Sequence, residues 1–484
     1  MIEKIRNGAF WVSLISLLSL PFAYYRSWIL NQIDSTGELL GLFALILVFI
    51  ELAITMSVFG GASSLSNYLP KIENKNERSK FIKSFYLLTI VLTLFFVVFL
   101  LNENIVDFLS LSEIYENNKR ELTLLVFFLV TSQIGIYCLN GFFYFKLSSF
   151  LSNTQVVFVC LFLTLTYFFN VNVEKQEFLK QIIYLLIFVY LIIFIISVLK
   201  LRHENKIYFF HKGFYFPEGF LKFSIYIHGN TICTMIYLTA DRIILASKFG
   251  LSVLAMYYVF SQISEIIRFI PNKIGQVLLA SFSKIEGSLS DNELKDSYQE
   301  VIENIVFISS LITISIVVFS YQIAGIFNYS SKDEILVLNL LATFTCIGSI
   351  GPVNAMLIMS KEKTVDYFFN SLLQISVQLF FTLMTIESLG IMSVVIGKCL
   401  GIVSAQLGLI YILKYRLNLN FVSLPISYYI CQINCLLVVF YMYNFGSNLV
   451  YSFCIFLLFM IITFFFNRKA LNNIGKILRN RIEA

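Results

Sequence analysis

Eight charged side chains stand more than three residues inside the ends of runs that are otherwise apolar: Arg26, Glu51, Asp241, Arg242, Glu265, Arg268, Lys273 and Lys398. Their types and spacing define the chemistry open to them. Five are cations and three are anions, an excess that favours an anionic ligand. Arginine suits phosphate in particular, because its planar fork donates two hydrogen bonds at once. Glu51 lies in the middle of its run, which makes it the candidate for exchanging a proton or meeting a coupling ion. Glu265 and Arg268 are three residues apart and can pair on one helix. Asp241 and Arg242 are neighbours, roughly 100° apart around a helix, and their side chains cannot pair with each other. Arg26 and Arg242 fall in the outer third of their runs, where they either face a ligand or snorkel to headgroups. A charge at the centre of a bilayer costs roughly 2.5–3.5 kcal/mol.

The elements that must hold these residues are membrane helices. Of 484 residues, 58% are hydrophobic and only 13% are charged, whereas about a quarter of a soluble chain is charged. Six prolines and 51 phenylalanines point to long helices in lipid. A span needs about 20 apolar residues, and fourteen candidates follow, near 8–30, 38–60, 84–101, 122–145, 150–170, 180–199, 223–247, 252–283, 301–327, 334–360, 364–386, 389–413, 422–443 and 447–466. With both termini in the cytoplasm, 24 Lys and Arg fall in inside segments and 6 in outside loops, as the positive-inside rule requires. The net charge of +6 is spread among loops and forms no nucleic-acid patch. The first apolar run is too long for a signal peptide and contains Arg26, so an uncleaved first span is expected.

The halves of the chain resemble each other. Arg26 precedes Glu51 by 25 residues, and Arg242 precedes Glu265 by 23. In each half an arginine near the outer end of one span is followed by a glutamate within the next span. Both halves start inside, so the repeat is parallel. The expected organisation is an N-lobe of six spans (1–200), an interfacial cytoplasmic linker (201–222), a C-lobe of six spans (223–415), and a final helix pair with a basic tail (416–484). His228 reads as a hydrogen-bonded helix contact. All eight cysteines fall in apolar stretches without His or acidic partners, so no metal site is expected.

The stretches TADRIILASKFGLSVLAMYYVFSQI (239–263), IPNKIGQVLLASFSKI (270–285) and ITMSVFGGASSLSNYLPKI (54–72), together with the 6+6+2 arrangement, resemble the Wzx-type polysaccharide flippases of the MOP superfamily. IHGN (227–230) stands where that family often has a Gly-Leu-Pro-like stretch, which argues against a bend there. The resemblance implies an all-α polytopic fold of two pseudo-symmetric six-helix lobes plus a C-terminal helix pair, in a MATE-like arrangement. It implies translocation of undecaprenyl-pyrophosphate-linked oligosaccharide repeat units from the cytoplasmic to the outer leaflet of a bacterial inner membrane, for O-antigen, lipopolysaccharide or capsule. Arg26, Arg242 and Arg268 would line a cavity between the lobes with Lys273 and Lys398 in support, and Glu51, Asp241 and Glu265 would serve coupling or ion pairing. No cofactor is implied, while proton or sodium coupling stays open. The expected partners are lipid-linked oligosaccharide, membrane lipid, and polysaccharide polymerase and chain-length proteins.

The alternative is a MATE-like exporter of small molecules or drugs. Exporters of cations are expected to use acidic and aromatic groups, and the cationic excess runs against that. An enzyme is not expected: no Walker A, HExxH or nucleophile elbow occurs, and the longest outer loop (101–121) is too short for a domain. A purely structural role leaves the charges in repeat-related spans without a reason.

Overall fold

The computed structural model describes residues 2–169, 174–205, 213–285, 291–361, 363–417, 419, 425–445 and 449–467. Among them the regular structure is entirely helical, as expected where hydrocarbon offers backbone groups no partner. The chain divides into two compact units, Met1–Ala255 and Met256–Ala484.

The first unit contains α1 (Ile2–Ile33), α2 (Glu38–Ser57), α3 (Gly61–Tyr68), α4 (Lys75–Phe99), α5 (Glu103–Phe108), α6 (Ser112–Tyr115), α7 (Lys119–Gly141), α8 (Phe145–Phe168), α9 (Lys175–Asn205) and α10 (Phe220–Phe249). It also holds the first turn of α11 (Leu251–Ile285), which crosses into the second unit. The second unit continues with α12 (Asp291–Val318), α13 (Ser320–Ile326), α14 (Lys332–Ile347), α15 (Gly351–Ser360), α16 (Thr364–Leu389), α17 (Ile391–Tyr411), α18 (Ile426–Phe445) and α19 (Leu449–Phe466). Eleven helices among the described residues are long and apolar enough to cross a membrane. The other three expected spans fall on α1, α10 and α19, which are helical but outside that set.

In the first unit α2 is central. Fifteen of its 20 residues are buried, and it packs on α10, α4 and α7 while α1 pairs with α8 and α7 with α9. Its composition, all apolar apart from Glu38, Glu51, Thr55 and Ser57, suits a helix buried on every side. In the second unit α12 packs on α18, α14 and α19, and α16 lies along α17. The outer face of α16 leaves Phe369, Phe380, Leu383 and Met384 exposed, the pattern of a helix turned to lipid.

Three expected spans are broken. The second ends at Ser57, and the chain restarts as α3 after Gly60, whose φ of 70° lies in the left-handed region that glycine enters without steric cost. The ninth is interrupted at Phe319, between α12 and α13. The tenth is interrupted by a 3₁₀ turn over Gly348–Ile350. By contrast, α10 runs unbroken through IHGN. The expected linker is more packed than a headgroup-lying strand. Residues 201–205 continue α9, and Phe216 stacks on Phe220 at 5.2 Å while meeting the edge of Phe81. The Tyr215 N–H donates to the Ser84 hydroxyl at 3.0 Å, and Phe214 remains 72% exposed. Residues 206–212 and the basic tail 468–484 lie outside the described residues.

Two local features set stability. At Gly41 an added Cβ would clash with the carbonyl oxygen of Leu251, so the start of α11 packs against α2 with no room for a side chain there. Between α1 and α2, Asp34 accepts from the Thr36 hydroxyl, the Leu39 N–H and Lys175 Nζ, the last at 3.1 Å. Burial acts to raise the Asp34 carboxyl, but these donors outweigh it and hold its pKa below the ordinary value.

Gly41→Ala is expected to lower unfolding stability in detergent by about 1–3 kcal/mol, the usual range for overpacking. Gly325→Ala, with nothing within 4 Å of the new methyl, is expected to stay within about 0.5 kcal/mol of wild type. Because the folded pKa of Asp34 is depressed, its contribution is present above the unfolded value of about 3.9 and lost as pH falls through the folded value. Thermal unfolding should therefore separate wild type from Asp34→Asn at pH 7 and bring them together as pH falls below the folded value.

Candidate functional site

The first unit contains four of the eight charges, Arg26, Glu51, Asp241 and Arg242. Arg26, from α1, is buried at 5% exposure and lies over the Phe43 ring of α2 at 4.7 Å. A guanidinium so placed faces protein, not headgroups, and gains from the electron-rich face of the ring. Glu51, in the second half of α2, is exposed although Ile50 and Leu52 beside it are buried. The charge of Arg242 reaches it from α10, and its own charge reaches Tyr137 of α7 and Tyr190 of α9. Arg26 also acts on Tyr190. Glu51 is thus accessible and within electrostatic reach of α7, α9 and α10, the last of which carries Arg242.

Asp241 is buried at 1% exposure, and its Oδ1 accepts from the Arg242 backbone N–H at 2.8 Å. The Arg242 side chain is half-buried. The two adjacent charges therefore have different surroundings, as the 100° step around a helix requires. Tyr190 donates its hydroxyl proton to Gln155 Oε1 of α8, which fixes the ring beside the cluster.

The second unit holds three of the remaining charges. Arg268 and Glu265 pair along α11 at 3.7 Å, the intrahelical bridge that their spacing allows. The guanidinium also lies against Gly348, where a Cβ would come within 2.8 Å of Nη2. That approach depends on the broken helix at 348–350, whose Gly348 carbonyl accepts from Gln406 Nε2 at 3.3 Å. Lys398, on α17, is buried with its ammonium 5.5 Å from the Tyr257 ring centre. The side chain of Lys273 lies outside the described residues. Of the repeat-related pairs, Arg26 and Arg242 both belong to the first unit, whereas Glu51 and Glu265 belong to different units.

His228 packs its ring on Phe59 at 5.2 Å, and its Nδ1 accepts from the Gly60 N–H at 3.5 Å. One turn away the hydroxyls of Ser64 and Ser224 meet at 2.9 Å. This histidine caps a backbone donor freed by the α2–α3 break, a helix contact in the sense that the sequence suggests. No group of His, Cys, Asp and Glu able to hold a metal ion occurs among the described residues.

Tyr137, Tyr190, Gln155 and the Gly348–Gln406 contact escape sequence reasoning. Tyrosines are frequent throughout this chain, 27 in all, and nothing local separates those beside the charges from those in the core. Glycines interrupting an apolar run at Gly348 and Gly351 are the one signal that could have marked the second contact.

No family model matches the chain, and no curated protein matches it in sequence. Solved structures do match. The lipid II flippase MurJ, in an inward closed conformation, superimposes with a TM-score of 0.68 at 15% identity, covering 95% of this chain and 99% of that one. An inward-facing multidrug resistance MATE family transporter of the MOP superfamily follows at 0.63 and 14% identity, covering 85% and 99%. A MATE protein in a bent conformation gives 0.58 at 15% identity, covering 86% and 95%. At such identities the likeness establishes the fold: this is an all-helical, multi-pass membrane protein with the architecture shared by MurJ and the MATE transporters.

Proposed function

We propose that the chain is a flippase that carries undecaprenyl-pyrophosphate-linked oligosaccharide repeat units from the cytoplasmic to the outer leaflet by alternating access. The observation that carries this reading is the set of cations held inside the protein, Arg26 over the Phe43 ring, Arg268 beside Glu265 and Lys398 by the Tyr257 ring, within a fold shared with a lipid II flippase. An anionic headgroup crossing about 30 Å of hydrocarbon needs a wet path with cationic lining. Bidentate arginine supplies that lining for a pyrophosphate. Glu51, accessible and within reach of the Arg242 charge, supplies a carboxylate that competes with the substrate for the same guanidinium, while Glu265 holds the Arg268 guanidinium in place and Asp241 bonds the Arg242 backbone. Lys273 is the further cation expected on α11. The protein then resides in a bacterial inner membrane with both termini in the cytoplasm, receives its substrate from glycan-assembling enzymes there, and hands it to polymerase and chain-length proteins outside.

Export of small molecules is the second reading, favoured by the likeness to MATE transporters. The cationic groups weigh against the cationic substrates such exporters would take.

Removing a charge-assisted hydrogen bond costs about 1.5–3 kcal/mol, at least about a tenfold effect. Arg242→Ala and Arg268→Ala should therefore cut surface polysaccharide by about that factor or more while the protein level in the membrane is unchanged. Wild-type surface display in both variants would sink the proposal. Efflux of a cationic dye that the wild-type protein supports and Arg242→Ala preserves would establish the exporter reading instead.

A further inference from the structure

Between α4 and α7 the chain makes the short helices α5 and α6, and this segment is sharply two-sided. Val106, Leu111, Ile114 and Tyr115 are buried at 3%, 1%, 0% and 4% exposure. Glu103, Asp107, Phe108, Glu113 and Glu116 are exposed. The segment keeps its own shape: Asn102 caps α5 by accepting from the Asn104 N–H, Ser112 donates to Asp107, and the Leu111 N–H donates to the Val106 carbonyl at 3.0 Å. It seats on the unit through α6 against α2. A second attachment falls beside the charged cluster. Ser110, held at a φ of 56° that L side chains rarely adopt, donates its hydroxyl to the carbonyl oxygen of Ile243 at 3.3 Å. Ile243 is the residue after Arg242.

We propose that residues 102–118 form a lid at the outer end of the first unit, seated over the Arg242 cluster to exclude water and lifted to let the anionic headgroup leave. The proposal rests on the flippase reading for the ligand and on the cytoplasmic termini for the side. Three features make the segment suited to this motion. It is internally bonded, so it moves as one piece. Its seat is made by a few apolar side chains and a side-chain hydrogen bond to α10, not by a continuous helix. Its outward face carries four carboxylates, which repel a departing pyrophosphate. While seated, the lid lowers the local dielectric and strengthens the attraction between Arg242 and an anion. Lifting it admits water and weakens that attraction.

Hydrogen exchange on the wild-type protein in proteoliposomes tests the motion without any variant. Residues 111–115 should exchange at least tenfold faster than the middle of α7, as a segment that opens separately from the rest. Equal protection of the two would overturn the proposal. Access is tested with an Arg242→Cys variant in a Cys454→Ser background and a membrane-impermeant maleimide added outside. Adding Leu111→Glu and Ile114→Glu, which cannot seat, should raise the labelling rate at least tenfold, and an unchanged rate would overturn the lid. Both readouts are independent of transport, so the loss of the flippase reading and the loss of the lid are distinguishable.

Discussion

Hydrocarbon forms no hydrogen bonds and solvates no charge, and the organisation of this protein depends on that constraint. Every backbone group must be satisfied within the chain, so the described structure is helical throughout. Every charge inside a span must meet another group of the protein or water. Arg26 meets the Phe43 ring, Lys398 meets the Tyr257 ring, and Arg268 meets Glu265 and the Gly348 backbone. Burial of these cations is costly by itself, and their placement against aromatic faces and, for Arg268, beside Glu265 offsets part of that cost.

The same constraint governs the helix breaks. A break within the membrane frees backbone N–H and C=O groups, and two of the breaks here recruit a side chain from another helix. His228 accepts from Gly60 at the α2–α3 break, and Gln406 donates to Gly348 at the α14–α15 break. Glycine is required at both, for a positive φ at Gly60 and for the close approach of Arg268 at Gly348. The breaks therefore let polar side chains approach the backbone, and at Gly348 the break also admits the Arg268 guanidinium.

Much of the fold was legible from the chain. The positions of the helices, the charges within them and the repeat spacing all follow from apolar run length and residue type, which are local properties. The intrahelical pairing of Glu265 with Arg268 was legible for the same reason, because a three-residue spacing determines helix neighbours. Local properties did not reveal that Arg26 and Arg242, 216 positions apart, would both fall in the first unit. They also left Tyr137 and Tyr190 unmarked among 27 tyrosines, and they gave no sign that the linker would pack Phe216 on Phe220 and Phe81.

By itself, then, the sequence determined that this is a polytopic helical protein with more cations than anions away from the ends of its spans, since hydropathy and charge are properties of each residue. The tertiary structure alone decided which way those charges point. It turned Arg26 onto the Phe43 ring, left Glu51 accessible between buried neighbours, and put Ile243, next to Arg242, beneath the α5–α6 segment. The physical reason is that a helix specifies only the angular spacing of its side chains. Which face meets protein, water or lipid is set by the helices packed around it.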